Sequence, residues 1–266
     1  MTHTTLSPTL TLHDDVAIPQ LGFGVYQVSG AQVGPAVTAA VEAGYRHIDT
    51  AKLYRNEEEV GDAVRGAGVP RQDVFVTTKL WGDDHGYDAA RRGFDASLGR
   101  LGLEYVDLYL IHWPSPEDDL NVETWRALER IRADGLTRAI GVSNFGADQL
   151  RRLADEGDVL PSINQVQLHP TMQQDGLRSV HEEMGVVTEA WAPLGKARDL
   201  DDPVVREIAD QTGRTPAQVV LRWHLQLGNV AIPKSVTPER IRENFAVFDF
   251  ELSDDAMAQL ARIDSA

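Results

Sequence analysis

At 266 residues the chain could form two small domains or one (β/α)8 barrel, which takes about 250 residues, and its 42% hydrophobic content supports a large core. A formal charge of −16 argues against electrostatic binding to nucleic acid or an anionic membrane, which needs clustered Lys and Arg. The chain has no cysteine, no apolar run near the roughly 20 residues that cross a bilayer, and no basic apolar leader in its polar first eight residues, so a cytoplasmic monomer without membrane or nucleic-acid partners is expected.

Segments 9–12 and 16–18 flank His13-Asp14-Asp15 and read as a short β-hairpin. Strand and helix then alternate. Strands are expected near 22–25, 46–49, 74–79, 106–112, 139–142, 163–168, 187–191 and 230–233. Helical patterns follow them at 34–43, 57–65, 88–101, 121–134, 147–156, 175–184, 216–226 and 238–245. Two further helices are expected at 203–212 and 254–263, the second opened by a Ser253 cap with acidic residues in its first turn. Eight strand-helix units make the count of a TIM barrel, and no Pro/Gly/Ser linker divides the chain, so residues 1–266 are read as one barrel domain.

In a parallel barrel the strand C-termini converge on one face. Asp49, Tyr54, Lys79 and His112 each sit at or just past such an end, in GYRHIDTAKLY, VFVTTKL and VDLYLIHWP. A carboxylate, a phenol, an ammonium and an imidazole are thus expected to share one pocket. Singly, each has an ordinary structural explanation: a helix cap, a core edge, a snorkelling stem, a satisfied core histidine. Four polar groups at three successive strand ends are hard to explain that way. The set resembles the catalytic tetrad of the aldo-keto reductases, and that resemblance implies reduction of an aldehyde or ketone, which needs a hydride donor at the carbonyl carbon and a proton donor at its oxygen. Tyr54 is the candidate acid: a free phenol has a pKa of about 10, and a buried ammonium at Lys79 is expected to lower it. Asp49 would pair with Lys79, since an ammonium buried alone is costly. His112 would orient the carbonyl through a hydrogen bond at its oxygen.

Other chemistries fit less well. Gly22-Phe23-Gly24 runs into Gln27 where a Rossmann fingerprint needs a third glycine, and GVSNF lacks the final glycine of a nucleophile elbow. His47 and Asp49 share one strand face but are too few for a metal centre, so none is expected. Phe23, Tyr26, Trp81, Trp113 and Phe145 lie just after strand ends and are expected to line an apolar mouth suited to a small carbonyl substrate.

GYRHIDTAKLYRNEEEVG, LYLIHWP, IGVSNF, NQVQLHP and IPKSV recur in the order in which they stand in the aldo-keto reductases, and the chain resembles that family from its hairpin to its last helix. EAWAPLG, TPAQVVLRWHLQ and VFDFELS are similar to bacterial reductases of the 2,5-diketo-gluconic acid type. The resemblance implies that Asp49, Tyr54, Lys79 and His112 are the catalytic tetrad and that NADPH/NADP+ is the cofactor. By the same resemblance Ser143, Asn144 and Gln165 would bind the nicotinamide carboxamide and Trp191 would stack on its ring. Leu194 would border the cofactor, Lys234, Ser235 and Arg240 would hold the 2′-phosphate, and Glu243 and Asn244 would meet the adenine. Lys196, where similar reductases often have a neutral polar residue, is expected to contact the pyrophosphate, because the short loop around it offers no enclosure. An acidic surface makes a local cation cluster necessary for an anionic cofactor, and a 2′-phosphate rewards Lys and Arg where a bare ribose rewards a carboxylate.

Three departures from the family pattern bear on substrate and closure. Lys52 and Arg55 flank Tyr54: pointing inward they would favour carboxylate-bearing substrates, pointing outward they would only solubilise. The loop after Trp191, PLGKARDLDDP, is short, so weaker closure over the cofactor is expected. The sequence stops at Ala266 without an extended C-terminal loop, which leaves substrate selection open. Two competing readings are a non-catalytic binding protein on the same fold, which an intact tetrad disfavours, and a sugar-phosphate barrel enzyme. The latter would carry a Gly-rich phosphate loop where PLGKA and PKSVT stand.

Overall fold

The computed structural model describes residues 6–263. An antiparallel hairpin of β1 (Thr9–Thr11) and β2 (Ala17–Pro19) comes first. Then follow β3 (Phe23–Gly24), α1 (Gly30–Ala43), β4 (His47–Asp49), α2 (Glu57–Arg65), β5 (Phe75–Leu80), α3 (Tyr87–Leu101), β6 (Val106–Ile111) and α4 (Asp118–Ala133). The chain continues through β7 (Thr137–Ser143), α5 (Ala147–Glu156), β8 (Ile163–Gln167), α6 (Asp175–Met184) and β9 (Val187–Trp191). It ends with α7 (Pro203–Thr212), α8 (Pro216–Gln226), β10 (Val230–Ile232), α9 (Pro238–Phe245) and α10 (Asp254–Leu260).

Strands β3 to β10 pair in parallel in chain order, and the ring is drawn shut where the first meets the last. Leu21 bridges Ala231, and backbone hydrogen bonds run from Gly22 N to Ala231 O (2.9 Å), Ala231 N to Gln20 O (2.9 Å) and Gly24 N to Pro233 O (3.0 Å). The architecture is the (β/α)8 barrel expected from the sequence. β5 and β6 are buried over their whole length, because helices cover one face and the barrel interior the other. Helices pack close to one another outside. A Cβ on Gly61 in α2 would lie 1.8 Å from the Leu101 carbonyl oxygen at the end of α3, so only glycine permits that approach.

Successive side chains on a strand alternate faces. At the bottom of the barrel the inward set is apolar: Phe75, Leu108, Leu110, Ile163 and Val230 cluster with Leu12, Val16 and Ile18 of the hairpin, which plugs that end. Higher up the inward positions turn polar. The register sets Asp49 beside Thr77 and Gln165 beside Glu189, and these four with His47 and Lys79 are at most 1% exposed.

Several boundaries differ from expectation for local reasons. α1 begins at Gly30 rather than residue 34 and runs through Pro35, whose missing N–H costs one bond near the helix start. α4 begins at Asp118, since Asn121 does not open the helix but ties the preceding loop, accepting from Ser115 N (2.7 Å) and donating to Ser115 O (3.1 Å). α10 stops at Leu260, short of residue 263. The hairpin strands sit at 9–11 and 17–19, with Leu12 N bonded to Val16 O (2.9 Å) inside the turn.

Candidate active site

Asp49 ends β4, and a 3-10 turn over Lys52–Tyr54 follows it. The turn is pinned. Thr50 Oγ1 donates to Asn56 Oδ1 (2.8 Å) and the Asn56 amide donates to Val25 O (3.0 Å). Arg55 takes a left-handed backbone (φ 55°), a conformation a non-glycine side chain adopts only when its surroundings impose it. Lys79 points inward from β5, and His112 follows β6 with its N–H on Leu80 O (3.1 Å).

Together these elements bring the four expected groups into contact. Lys79 Nζ donates to Asp49 Oδ1 (2.6 Å) and Thr50 O (2.9 Å) and lies 3.5 Å from Tyr54 Oη. The Tyr54 ring stands edge-on to His112 (centroids 5.7 Å) and tilts against Tyr26 (5.0 Å). Burial alone would strip the Lys79 proton, but Asp49, Tyr54 and Glu189 together hold its pKa above the ordinary value. Tyr54 is pushed up to about 12: burial outweighs the downward pull of Lys79, with Asp49 adding to the rise. The expectation that Lys79 lowers this phenol is therefore right in the sign of its contribution and wrong in the net result. His112 is driven down to about 3 by burial and then by Lys79, so it is a neutral imidazole whose Nδ1 has no partner among the described residues.

Residues of β7, β8 and β9, with Asn144 just past β7, are wired to the same centre. Ser143 Oγ donates to Gln165 O (2.8 Å), while Asn144 Nδ2 donates to Ser143 Oγ (2.9 Å) and His112 O (3.0 Å). Trp191 Nε1 donates to Asn144 Oδ1 (2.9 Å), which fixes the indole ring. Gln165 spends both N–H groups inward, on Asp49 Oδ2 (2.9 Å) and Glu189 Oε2 (3.0 Å), and keeps Oε1 without a partner among the described residues. Leu194 is half-buried and Lys196 exposed, in a loop anchored by Asp199, whose carboxylate accepts from Thr171 and lies 2.8 Å from His169 Nδ1. Lys234 and Ser235 follow β10, and Arg240, Glu243 and Asn244 lie in α9. Glu243 Oε1 is occupied by Thr215 Oγ1 (2.8 Å). Neither Lys234, Arg240 nor Lys196 has a carboxylate partner among the described residues, whereas most of the arginines do. Free cations and an open amide oxygen are what a 2′-phosphate dinucleotide with a nicotinamide end requires, so these residues fit NADP(H).

Of the five aromatics expected at the mouth, Tyr26 (49% exposed), Trp113 (48%) and the half-buried Trp81 reach it. Phe23 and Phe145 do not: both are 1% exposed and belong to the apolar core, Phe23 edge-on to Tyr45 at 5.6 Å. Their side chains take the outward, helix-facing side of the strand ends. Lys52 is tied to Asp84 at the rim, and Arg55 is exposed without a partner among the described residues.

The model of the aldo/keto reductase family matches residues 20–265. The chain belongs to that family. An aldo-keto reductase of Mycolicibacterium smegmatis is 53% identical over 260 residues, covering 98% of this chain and 94% of the relative. The methylglyoxal reductase DkgA of Yersinia pestis is 46% identical over 262 residues, covering 98% and 94%. A crystal structure of a Gox0644 mutant in complex with NADPH superposes with a TM-score of 0.93 at 44% identity, covering 98% of this chain and 94% of that one.

In this aldo/keto reductase one ionisable residue of the centre escapes sequence reasoning: Glu189, wholly buried in β9. Its signal was a lone carboxyl two residues before Trp191, on the same strand face. With it, His47 and Asp49 gain a third potential ligand, all three offering atoms within 4.8 Å of one another. The Lys79 ammonium, 2.6 Å from Asp49, already places a positive charge beside these groups, which disfavours a further cation among them.

Proposed function

We propose that this family member reduces small aldehydes and ketones with NADPH, Tyr54 giving the proton to the carbonyl oxygen. The observation that carries the reading is the chain of contacts from Asp49 through Lys79 to the Tyr54 hydroxyl, at 2.6 and 3.5 Å, beneath a mouth of exposed aromatics. Bound NADPH supplies the hydride. Ser143, Asn144 and Gln165 would orient the nicotinamide, Trp191 would stack on it, Leu194 would border the cofactor, Lys196 would contact the pyrophosphate, and Lys234, Ser235 and Arg240 would hold the 2′-phosphate, with Glu243 and Asn244 at the adenine. A phenol raised to about 12 keeps its proton at neutral pH, so the acid is loaded. Negative charge building on the carbonyl oxygen draws that proton, and Lys79 steadies the phenolate left behind. Neutral His112 donates a hydrogen bond to the same oxygen.

Lys52, paired with Asp84, is not free to bind a substrate carboxylate. Tyr26, Trp81 and Trp113 favour uncharged carbonyls, α-dicarbonyls above keto-sugar acids, in keeping with the methylglyoxal reductase among its relatives. The test is consumption of NADPH, followed by absorbance, on adding an aldehyde or a 2-oxoaldehyde to the purified protein. No turnover with any member of such a panel would defeat the reading.

A further inference from the structure

The barrel centre holds more acid than its one ammonium balances. His47, Asp49, Lys79 and Glu189 are all at most 1% exposed, and hydrogen bonds divide the two carboxyls unequally. Asp49 receives the Lys79 ammonium on Oδ1 (2.6 Å) and the Gln165 amide on Oδ2 (2.9 Å). Glu189 receives only the other Gln165 N–H, on Oε2 (3.0 Å). Its Oε1 has no hydrogen-bond partner among the described residues and faces His47 Nε2 across 3.8 Å, while that nitrogen lies 3.0 Å from Thr77 Oγ1. Two ionised carboxyls around one ammonium would leave net charge in a volume sealed from water. Protonating the carboxyl with fewer donors costs far less.

We propose that Glu189 is a positioning residue that carries a proton at neutral pH and thereby sets the acidity of Tyr54. Protonated, it leaves the Asp49–Lys79 pair electrically balanced. Ionised, it adds a second negative charge that holds the proton on the phenol. The inference rests on Tyr54 being the acid. Every charged group facing Glu189 is accounted for: burial and then Asp49 push its carboxyl up to about 8, against the Gln165 hydrogen bond and Lys79. His47, driven down to about 3 by burial and then Lys79 despite the Pro19 carbonyl, offers no positive charge to pair with it. As the solution turns alkaline the Oε–H bond breaks, the proton passes to solvent, and Tyr54 becomes the weaker acid.

Glu189→Gln locks the neutral form and keeps an acceptor for Gln165. Its expected signature is a fall of about one unit in the apparent pKa of Tyr54, about tenfold in the proton equilibrium. This is read as a parallel shift to lower pH of two limbs: the alkaline fall of aldehyde reduction by NADPH, and the rise of alcohol oxidation by NADP+. A purely structural role would scale both rates evenly and leave the limbs in place, which overturns the proposal, as does a shift to higher pH. If the variant does not fold, the wild-type protein answers. Its infrared spectrum at neutral pH should carry a protonated-carboxyl stretching band that disappears as the solution is made alkaline, and a spectrum without that band overturns the proposal. Failure of Tyr54 as the acid is distinguishable: reduction would survive Tyr54→Phe while the carboxyl band remained.

Discussion

Tyr54→Phe removes one oxygen, and the structure says what that oxygen touches. Its hydrogen-bond contact is the 3.5 Å approach of Lys79 Nζ, which keeps its shorter bonds to Asp49 (2.6 Å) and Thr50 O (2.9 Å) in the variant. The ring keeps its contacts with Tyr26 and His112 at centroid distances of 5.0 and 5.7 Å. Stability should therefore change by no more than about 1 kcal/mol, a shift of roughly 2–4 °C in Tm. The rate should fall much further: general acid catalysis contributes about 10² to 10⁴, or roughly 2.7 to 5.4 kcal/mol of barrier. The assay is kcat for aldehyde reduction at saturating NADPH, beside cofactor affinity from quenching of tryptophan fluorescence and a thermal melt. A variant with more than about a tenth of wild-type kcat would remove Tyr54 from the acid role. Activity lost in step with affinity or stability would make the residue structural.

Lys79→Met strands the buried Asp49 carboxylate, so it should cost about 3–5 kcal/mol of stability in denaturant melts, against little for Tyr54→Phe. Because the Lys79 charge pulls the phenol's pKa down, its loss should move the alkaline limb of the rate profile to higher pH, and an unmoved limb would break the coupling. Arg240→Ala should weaken NADPH binding by about 10- to 100-fold, the worth of a charge-assisted hydrogen bond, and leave NADH unaffected. Equal losses for the two cofactors would show that Arg240 only supports α9. Lys196 is exposed, so its contact with the pyrophosphate would be screened over a Debye length of about 8 Å. Salt should accordingly weaken NADPH binding more in the wild type than in Lys196→Gln, and parallel salt dependences would place Lys196 away from the cofactor.

Much of the fold was legible because the barrel strands are short, mostly apolar runs, and Asp49, Lys79 and His112 stand at or next to the ends of three of them. Tyr54 was harder. It stands five residues beyond Asp49 on a 3-10 turn, so only the shared motif joins it to the others. Glu189 was missed because a lone carboxyl in a strand reads as solvated, and its burial follows from ring closure, which no local pattern records. Phe23 and Phe145 failed for another reason. At a strand end one residue of register decides whether a ring faces the mouth or the helices, and hydrophobicity is the same either way. The net rise of the Tyr54 pKa was equally invisible, since it is a contest between burial and one ammonium whose distance the sequence does not hold.

The seam between Gln20–Gly24 and Ala231–Pro233 has a consequence for how the molecule is made. Seven parallel pairings join strands that are neighbours in the sequence, while this last one waits for β10. Until that strand leaves the ribosome the growing chain can only be an open, curling sheet. In such a sheet the ionic groups of the future interior are still hydrated, and they pass from water into their mutual hydrogen bonds only as the ring shuts. The catalytic charges are thus fully sealed from water only once β10 is in place, when their partners are within reach.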